Sequence, residues 1–184
     1  MPLNDALDGR KSVRSFEGRT LARGEVSQLL WAAQGEAADG EVAAETGATR
    51  NAPSAGALYP LEVFLLEGES LSRYEPGSHS LEPVSEGIDP ENLVKAALGQ
   101  SFISRAPAVF VIAADFERTR RRYGDRAERY VWMEAGHAAQ NLLLEATALG
   151  LGSVPVGAFD DEGVARALGL PQGLSPLYLI PVGR

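Results

Sequence analysis

Three cations and a hydroxyl stand within five residues near the start of the chain, Arg10-Lys11-Ser12-Val13-Arg14. In an extended segment successive side chains alternate, so Arg10, Ser12 and Arg14 share one side. Cation, hydroxyl and cation in a row form a fork suited to a phosphate or to the electron-rich edge of a ring. Asn51-Ala52-Pro53-Ser54-Ala55-Gly56-Ala57-Leu58-Tyr59-Pro60 is a run of small residues that ends in an aromatic–proline break. Small side chains with free backbone groups let a flat ligand approach closely. Gly150-Leu151-Gly152-Ser153-Val154-Pro155-Val156-Gly157-Ala158-Phe159 has the same character, and its Gly157-Ala158 step leaves backbone N–H groups unobstructed. Each small-residue run also reads as an ordinary glycine-rich turn, and the basic run as solvated surface.

Much other chemistry is excluded. The chain has no cysteine, which removes disulfides, thiolate metal sites, iron–sulfur clusters and thiol nucleophiles together. Only His79 and His137 are present, so a three-histidine metal site cannot form and no metal is expected. Neither a P-loop nor a GxGxxG fingerprint occurs. Ala52-Pro53-Ser54-Ala55-Gly56 resembles a nucleophile elbow with Ala in place of the first Gly, but neither histidine stands in a supporting context. With 17 Lys+Arg against 25 Asp+Glu the net charge is −8, which argues against nucleic acid as a partner. Asp115–Tyr130 runs the other way, with six arginines and four acids. It reads as a solvated helix face, or as an attractor of anions near a site.

The remaining composition is that of one packed domain spanning 1–184: 45% hydrophobic and 23% charged residues. Met1–Arg10 carries acids and no apolar core, so no signal peptide is expected. The longest clean apolar run, Ala106–Ala114, is far too short to span a bilayer, so the expectation is a soluble, cytoplasmic protein.

The elements that must position these segments follow from periodicity. Val26, Leu29, Leu30 and Ala33 predict a helix over Gly24–Gln34, stopped by Gly35. Glu36–Asn51 is aperiodic and predicts a long surface loop. Leu61–Glu67 predicts a strand, and Leu71–Tyr74 with Ser80–Val84 a hairpin around Pro76-Gly77. Asp89-Pro90-Glu91 predicts a helix start leading to Gly99. Pro107–Ala114, Ser153–Phe159 and Leu177–Val182 predict strands, with an Asp160-capped helix between the last two. Intermingled helices and strands without regular βαβ spacing favour α+β.

Ala127–Leu149 predicts the longest helix. Glu134, His137, Asn141 and Glu145 fall on one narrow stripe, with Ala135, Gly136, Ala139 and Ala146 as a small-residue face opposite. A helix so apolar fits a subunit interface, or a core helix with a single wetted edge.

Arg10-x-Ser12-x-Arg14, Pro53-Ser54-Ala55-Gly56-Ala57-Leu58-Tyr59-Pro60, Glu134-Ala135-Gly136-His137-Ala138-Ala139-Gln140-Asn141 and Leu149-Gly150-Leu151-Gly152 with Gly157-Ala158-Phe159 occur in one order along the chain. Together they resemble the FMN-dependent nitroreductase superfamily, nearest its thiazoline/oxazoline dehydrogenase branch. The resemblance implies a central mixed, largely antiparallel sheet flanked by helices, with the long helix at a homodimer interface. It implies FMN held by Arg10, Lys11 and Ser12 at the phosphate and ribityl chain, and by Arg14 at the pyrimidine end. It further implies Pro53, Ser54 and Ala55 covering the ring from the partner, Gln100 at the O4/N3 edge, and Pro155, Val156, Gly157 and Ala158 beside N5. Many members bring basic residues to the phosphate on a C-terminal arm; here either Arg184 does that work or the phosphate is held less tightly.

The implied activity is two-electron reduction of a flat, electron-poor small molecule, with NAD(P)H as donor and flavin N5 carrying the chemistry. Tyr130 is the one candidate catalytic side chain. Azoline dehydrogenases carry a Lys-Tyr pair where this chain has Arg129-Tyr130, and an always-charged arginine is a poor base. Azoline oxidation is therefore the second reading, beside a non-catalytic flavin-binding subunit of a modifying complex.

Overall fold

The computed structural model describes residues 1–36 and 49–184. Most of the expected Glu36–Asn51 loop lies outside the described residues; Glu36 and Arg50 pair as an antiparallel bridge. Six strands form one sheet: β1 (Leu61–Glu67), β2 (Ser70–Glu75), β3 (Ser80–Ser85), β4 (Ala108–Ala114), β5 (Gly152–Ser153) and β6 (Ser175–Gly183). Their order is β3-β2-β1-β4-β6-β5, and every ladder is antiparallel. The architecture is α+β as expected. The parallel pairing that a mixed sheet implies is confined to a single bridge, Ser12 to Ser153.

β4 explains the layering. All seven of its residues are buried. Phe110, Ile112 and Ala114 enter one core, and Val109, Val111 and Ala113 enter another on the opposite face. A strand covered on both faces needs an unbroken apolar run, which Ala108–Ala114 supplies. The first core is closed by α2 (Arg23–Gln34) and α6 (Ala127–Ala148), the second by α3 (Pro90–Ala96) and α7 (Asp161–Leu168). Asp89 starts α3 by accepting from the Glu91 N–H at 2.9 Å, as the Asp-Pro-Glu sequence predicts. α7 follows Asp160, but that side chain makes no capping bond.

Two helices go beyond the sequence expectation: α1 (Leu3–Gly9) and α4 (Phe102–Arg105), both too short for periodicity to register. α5 (Phe116–Tyr123) carries the arginine run on a solvated helix face, as the charge pattern of Asp115–Tyr130 leads one to expect. The expected strand over Ser153–Phe159 is also corrected. Only Gly152–Ser153 pairs as a strand, and Val156 makes an isolated bridge to Leu179. Pro155 lies between them and has no N–H to give a ladder.

α6 differs from the expected wheel in two respects. Glu134 is 2% exposed, covered on the Pro53–Ala55 side rather than left on a wetted edge. Ala135, Ala139 and Ala146 do enter the core, but Gly136 is half-buried beside an exposed face that carries Trp132 and Met133.

Gly152 is where the N-terminal segment meets the sheet. A Cβ there would lie 2.7 Å from Val13 Cγ1 and 2.8 Å from Val13 Cβ, so the branched side chain cannot swing clear. Gly152→Ala should cost about 1–3 kcal/mol, as overpacking does, measured by denaturant unfolding.

Candidate functional site

The basic segment is laid along the end of the sheet by backbone bonds. The Arg10 N–H closes α1 on the Ala6 carbonyl at 3.0 Å, and the Val13 N–H donates to the Ser153 carbonyl at 3.0 Å. Ser12 pairs with Ser153 in the same bridge. This extended geometry leaves Lys11, Ser12 and Arg14 exposed and Arg10 partly so. The Arg14 guanidinium lies 5.8 Å over the Phe102 ring. Arg10, Lys11 and Arg14 make no ion pair or side-chain hydrogen bond with another described residue. Unpaired cations gathered on a chain of charge −8 create a local attraction for anions.

Gln100 and the Pro155–Ala158 segment complete this group. Gln100 Nε2 donates to the Ala158 carbonyl at 2.8 Å and to the Ala97 carbonyl at 2.9 Å. Val156 exchanges both backbone bonds with Leu179, at 2.8 and 3.0 Å, which fixes the residues on either side of it. Gly157 and Ala158 are exposed. Gly157 does not have a positive φ, and a Cβ on it would meet Tyr178 at an ordinary 3.7 Å. Its small size therefore serves the open side of the segment rather than a turn. The contacts through Ser153, Phe102 and Ala158 join Arg10, Lys11, Ser12, Arg14, Gln100 and Pro155–Ala158 into one surface.

Pro53, Ser54 and Ala55 belong to a second group. They face Tyr130, Met133, Glu134 and His137 of α6 across a cavity of about 250 Å³. The loop is tightly wound: Gly56, Ala57 and Tyr59 have φ of 61°, 54° and 46°. Two of these are non-glycine residues in the left-handed region, a strain that persists where surroundings enforce it. The enforcement is visible. Ser54 Oγ accepts from the Tyr59 N–H at 2.9 Å, and Arg118 donates to the Tyr59 carbonyl at 3.2 Å. At Gly56 a Cβ would lie 2.7 Å from Tyr123 Oη, so only glycine lets α5 come this close. Arg126 Nε donates to Tyr130 Oη at 3.0 Å, holding that phenol at the cavity's edge.

Arg184 joins neither group. Its guanidinium binds Glu25 at 2.8 Å, and the Glu25 carboxyl is held below its usual range, first by the Ala22 N–H and then by Arg184. Ser54 makes no bond to a histidine, so the elbow-like sequence carries no hydrolase relay. Among the described residues no group of three His, Asp or Glu is placed to hold a metal ion. Sequence reading passed over Phe102 beneath Arg14, Tyr123 against Gly56, and the role of Glu134 beside Ser54. An acid in an otherwise apolar helix stretch was the one available signal.

The α+β fold, taken with the comparisons that follow, is that of an oxidoreductase. The nitroreductase family profile matches residues 7–184, and the chain belongs to that family. MJ1384 of Methanocaldococcus jannaschii, a protein with a nitroreductase name, is 45% identical over 188 residues, 99% of this chain and 90% of that one. The microcin B17-processing protein McbC of Escherichia coli is 31% identical over 65% of this chain and 48% of its own, in keeping with the branch resemblance of the motifs. A nitroreductase-named structure from Ralstonia eutropha superposes with TM-score 0.85 at 30% identity, covering 100% of this chain and 83% of that one. A structure from Desulfovibrio desulfuricans in complex with FMN shares the fold, with TM-score 0.69 at 21% identity over 100% and 86% of the two chains.

Because Gly157 has ordinary backbone geometry and free space at its Cβ, Gly157→Ala should change folding stability by no more than about 0.5 kcal/mol in denaturant titrations.

Proposed function

We propose that residues 1–184 form one FMN-binding unit of a homodimer that passes electrons from NAD(P)H to a flat, electron-poor small molecule. The observation that carries this reading is the unpaired set Arg10, Lys11 and Arg14 beside Ser12 and the open Gly157-Ala158 backbone. A dianionic phosphate on an acidic protein needs local cations, and these have no competing carboxylate among the described residues. Bound FMN would supply a reversible acceptor of hydride at N5. Arg14 would lie toward the pyrimidine end, where a guanidinium stabilises an anionic reduced ring and raises its potential. Backbone N–H groups at Gly157 and Ala158 would face N5, and Gln100 would brace that segment through the Ala158 carbonyl.

The dimer reading grows from α6. The two groups of site residues sit near opposite ends of this helix. Glu134 borders the cavity, while a Cβ on Gly9, just before Arg10, would meet Thr147 Cγ2 at 3.3 Å. Thirteen residues of helix separate those points by about 20 Å. Trp132, Met133, His137 and Gln140 leave the face between them exposed. A two-fold packing of this face on its copy would set the Pro53–Ala55 loop of one subunit against the Arg10 surface of the other. Each site would then be built from both chains.

The similarity to McbC favours a second reading, oxidation of azoline rings in a peptide, with Tyr130 as the side chain at the reacting centre.

The visible spectrum of the purified or FMN-reconstituted protein, with and without anaerobic NADH and NADPH, tests the main reading. A yellow protein bleached by either nucleotide is expected. Arg14→Ala should weaken FMN by about 1.5–3 kcal/mol, the range for hydrogen bonds to charged groups, read by fluorescence titration. Equal affinity in both proteins would place the flavin elsewhere. Light scattering should give a dimer, and a flavin-bound monomer would refute the shared site. Gly157→Val should slow nucleotide-dependent flavin reduction, since a reacting pair must approach within roughly 3–3.5 Å.

A further inference from the structure

Holding a flavin does not account for Glu134. The residue is 2% exposed, it borders the cavity beneath Ser54, and its Oε1 has no hydrogen-bond partner among the described residues. The Ser54 hydroxyl beside it and the charge of Arg50 both favour its ionised form. Arg50 is committed elsewhere: Nη1 donates to Gln34 Oε1 at 3.1 Å, and the guanidinium lies 4.7 Å over the Tyr59 ring. Tyr130 and His137, from the same helix, are the other titratable groups at the cavity. Glu134 makes no ion pair among the described residues. A buried carboxylate with one bare oxygen is costly, and uptake of a proton relieves the cost. Burial accordingly pushes this carboxyl up to about 7, against the opposing pull of Ser54 and Arg50.

We propose that Glu134 is the acid of the site, giving its proton to a two-electron acceptor seated in the Pro53–Ala55 cavity. This rests on the flavin oxidoreductase reading above, with the two-fold packing that sets the partner subunit's flavin against this cavity. A quinone or nitro acceptor that takes up a hydride also needs one proton at oxygen. The electron pair comes from the reduced flavin, which is oxidised. The Glu134 O–H bond breaks as the acceptor's O–H bond forms. The carboxylate left behind is held by the Ser54 hydroxyl and Arg50 until it recovers a proton from solvent.

Glu134→Gln preserves volume and removes the titration. In flavin-free wild type, infrared difference spectra should show a protonated-carboxyl C=O band lost as pH rises through about 7, absent in the variant. The same protonation fixes a stability trend. A carboxyl whose folded pKa lies above its unfolded value loses stabilisation as pH rises from the unfolded toward the folded value. The melting temperature of wild type should therefore fall relative to Glu134→Gln between about pH 4.5 and about pH 7. In the flavin-loaded, pre-reduced enzyme, the ratio of quinone to ferricyanide reduction rates should drop roughly tenfold or more in Glu134→Gln, since ferricyanide takes electrons without a proton. Glu134→Asp should restore part of that ratio. An unchanged ratio, or no band titrating near neutrality, overturns the proposal while leaving the flavin reading intact. A wild type that binds no flavin overturns both.

Discussion

Burial of α6 against the sheet is the constraint on which the site depends. Val131, Ala135, Ala138, Leu142 and Ala146 enter the core without exposed surface, and the small alanines let α2 and the strands come close. A helix fixed on that side has a fixed opposite side as well. Tyr130, Met133, Glu134 and His137 are thereby held against the Pro53–Ala55 loop, while the far end of the helix supports α1 and the start of the basic segment. One rigid element thus orients two separate surfaces. A small domain gains from this economy, because neither surface needs its own supporting layer.

The distribution of charge follows a division of labour. Arg73 is enclosed by Glu62, Glu75 and Glu82, and Arg118 is shared by Glu62 and Asp115, so these arginines fasten hairpin and helix to the sheet. Pairs as exposed as Arg166–Glu162 contribute little, about 0–1 kcal/mol. Arg10, Lys11 and Arg14 differ in lacking such partners among the described residues. The described residues therefore separate cations that fasten the fold from cations that do not, and sequence alone does not distinguish the two kinds.

That distinction marks the limit of what could be read from the residues. β1 matches Leu61–Glu67, and β4 and α6 fall within a residue of expectation, because burial on one or both faces imposes a periodicity that composition reveals. α1 and α4 were illegible because a helix of seven or four residues takes its stability from packing, not from pattern. The Ser153–Phe159 strand failed because backbone pairing there is interrupted at Pro155 and set by β6, a partner distant in sequence. The motifs placed Arg10, Ser12 and Ala158 in order, and the resemblance added Gln100, but their joining depends on Ser153, Phe102 and Ala97, which carry no chemistry of their own. Glu134 was visible as an acid on a helix; its burial was not, since that follows from the loop above it.

The bridge between Ser12 and Ser153 also governs assembly in time. Its two residues are 141 apart in the chain. The basic segment leaves the ribosome well before its docking edge, which is synthesised roughly 7–28 s later at ordinary elongation rates. β5 itself needs β6, which follows later still. The cations thus remain undocked until almost the whole sheet exists, and the ordering of the basic surface becomes a late event of high contact order. A nascent or truncated chain would possess every residue of the basic motif and still lack the surface they form.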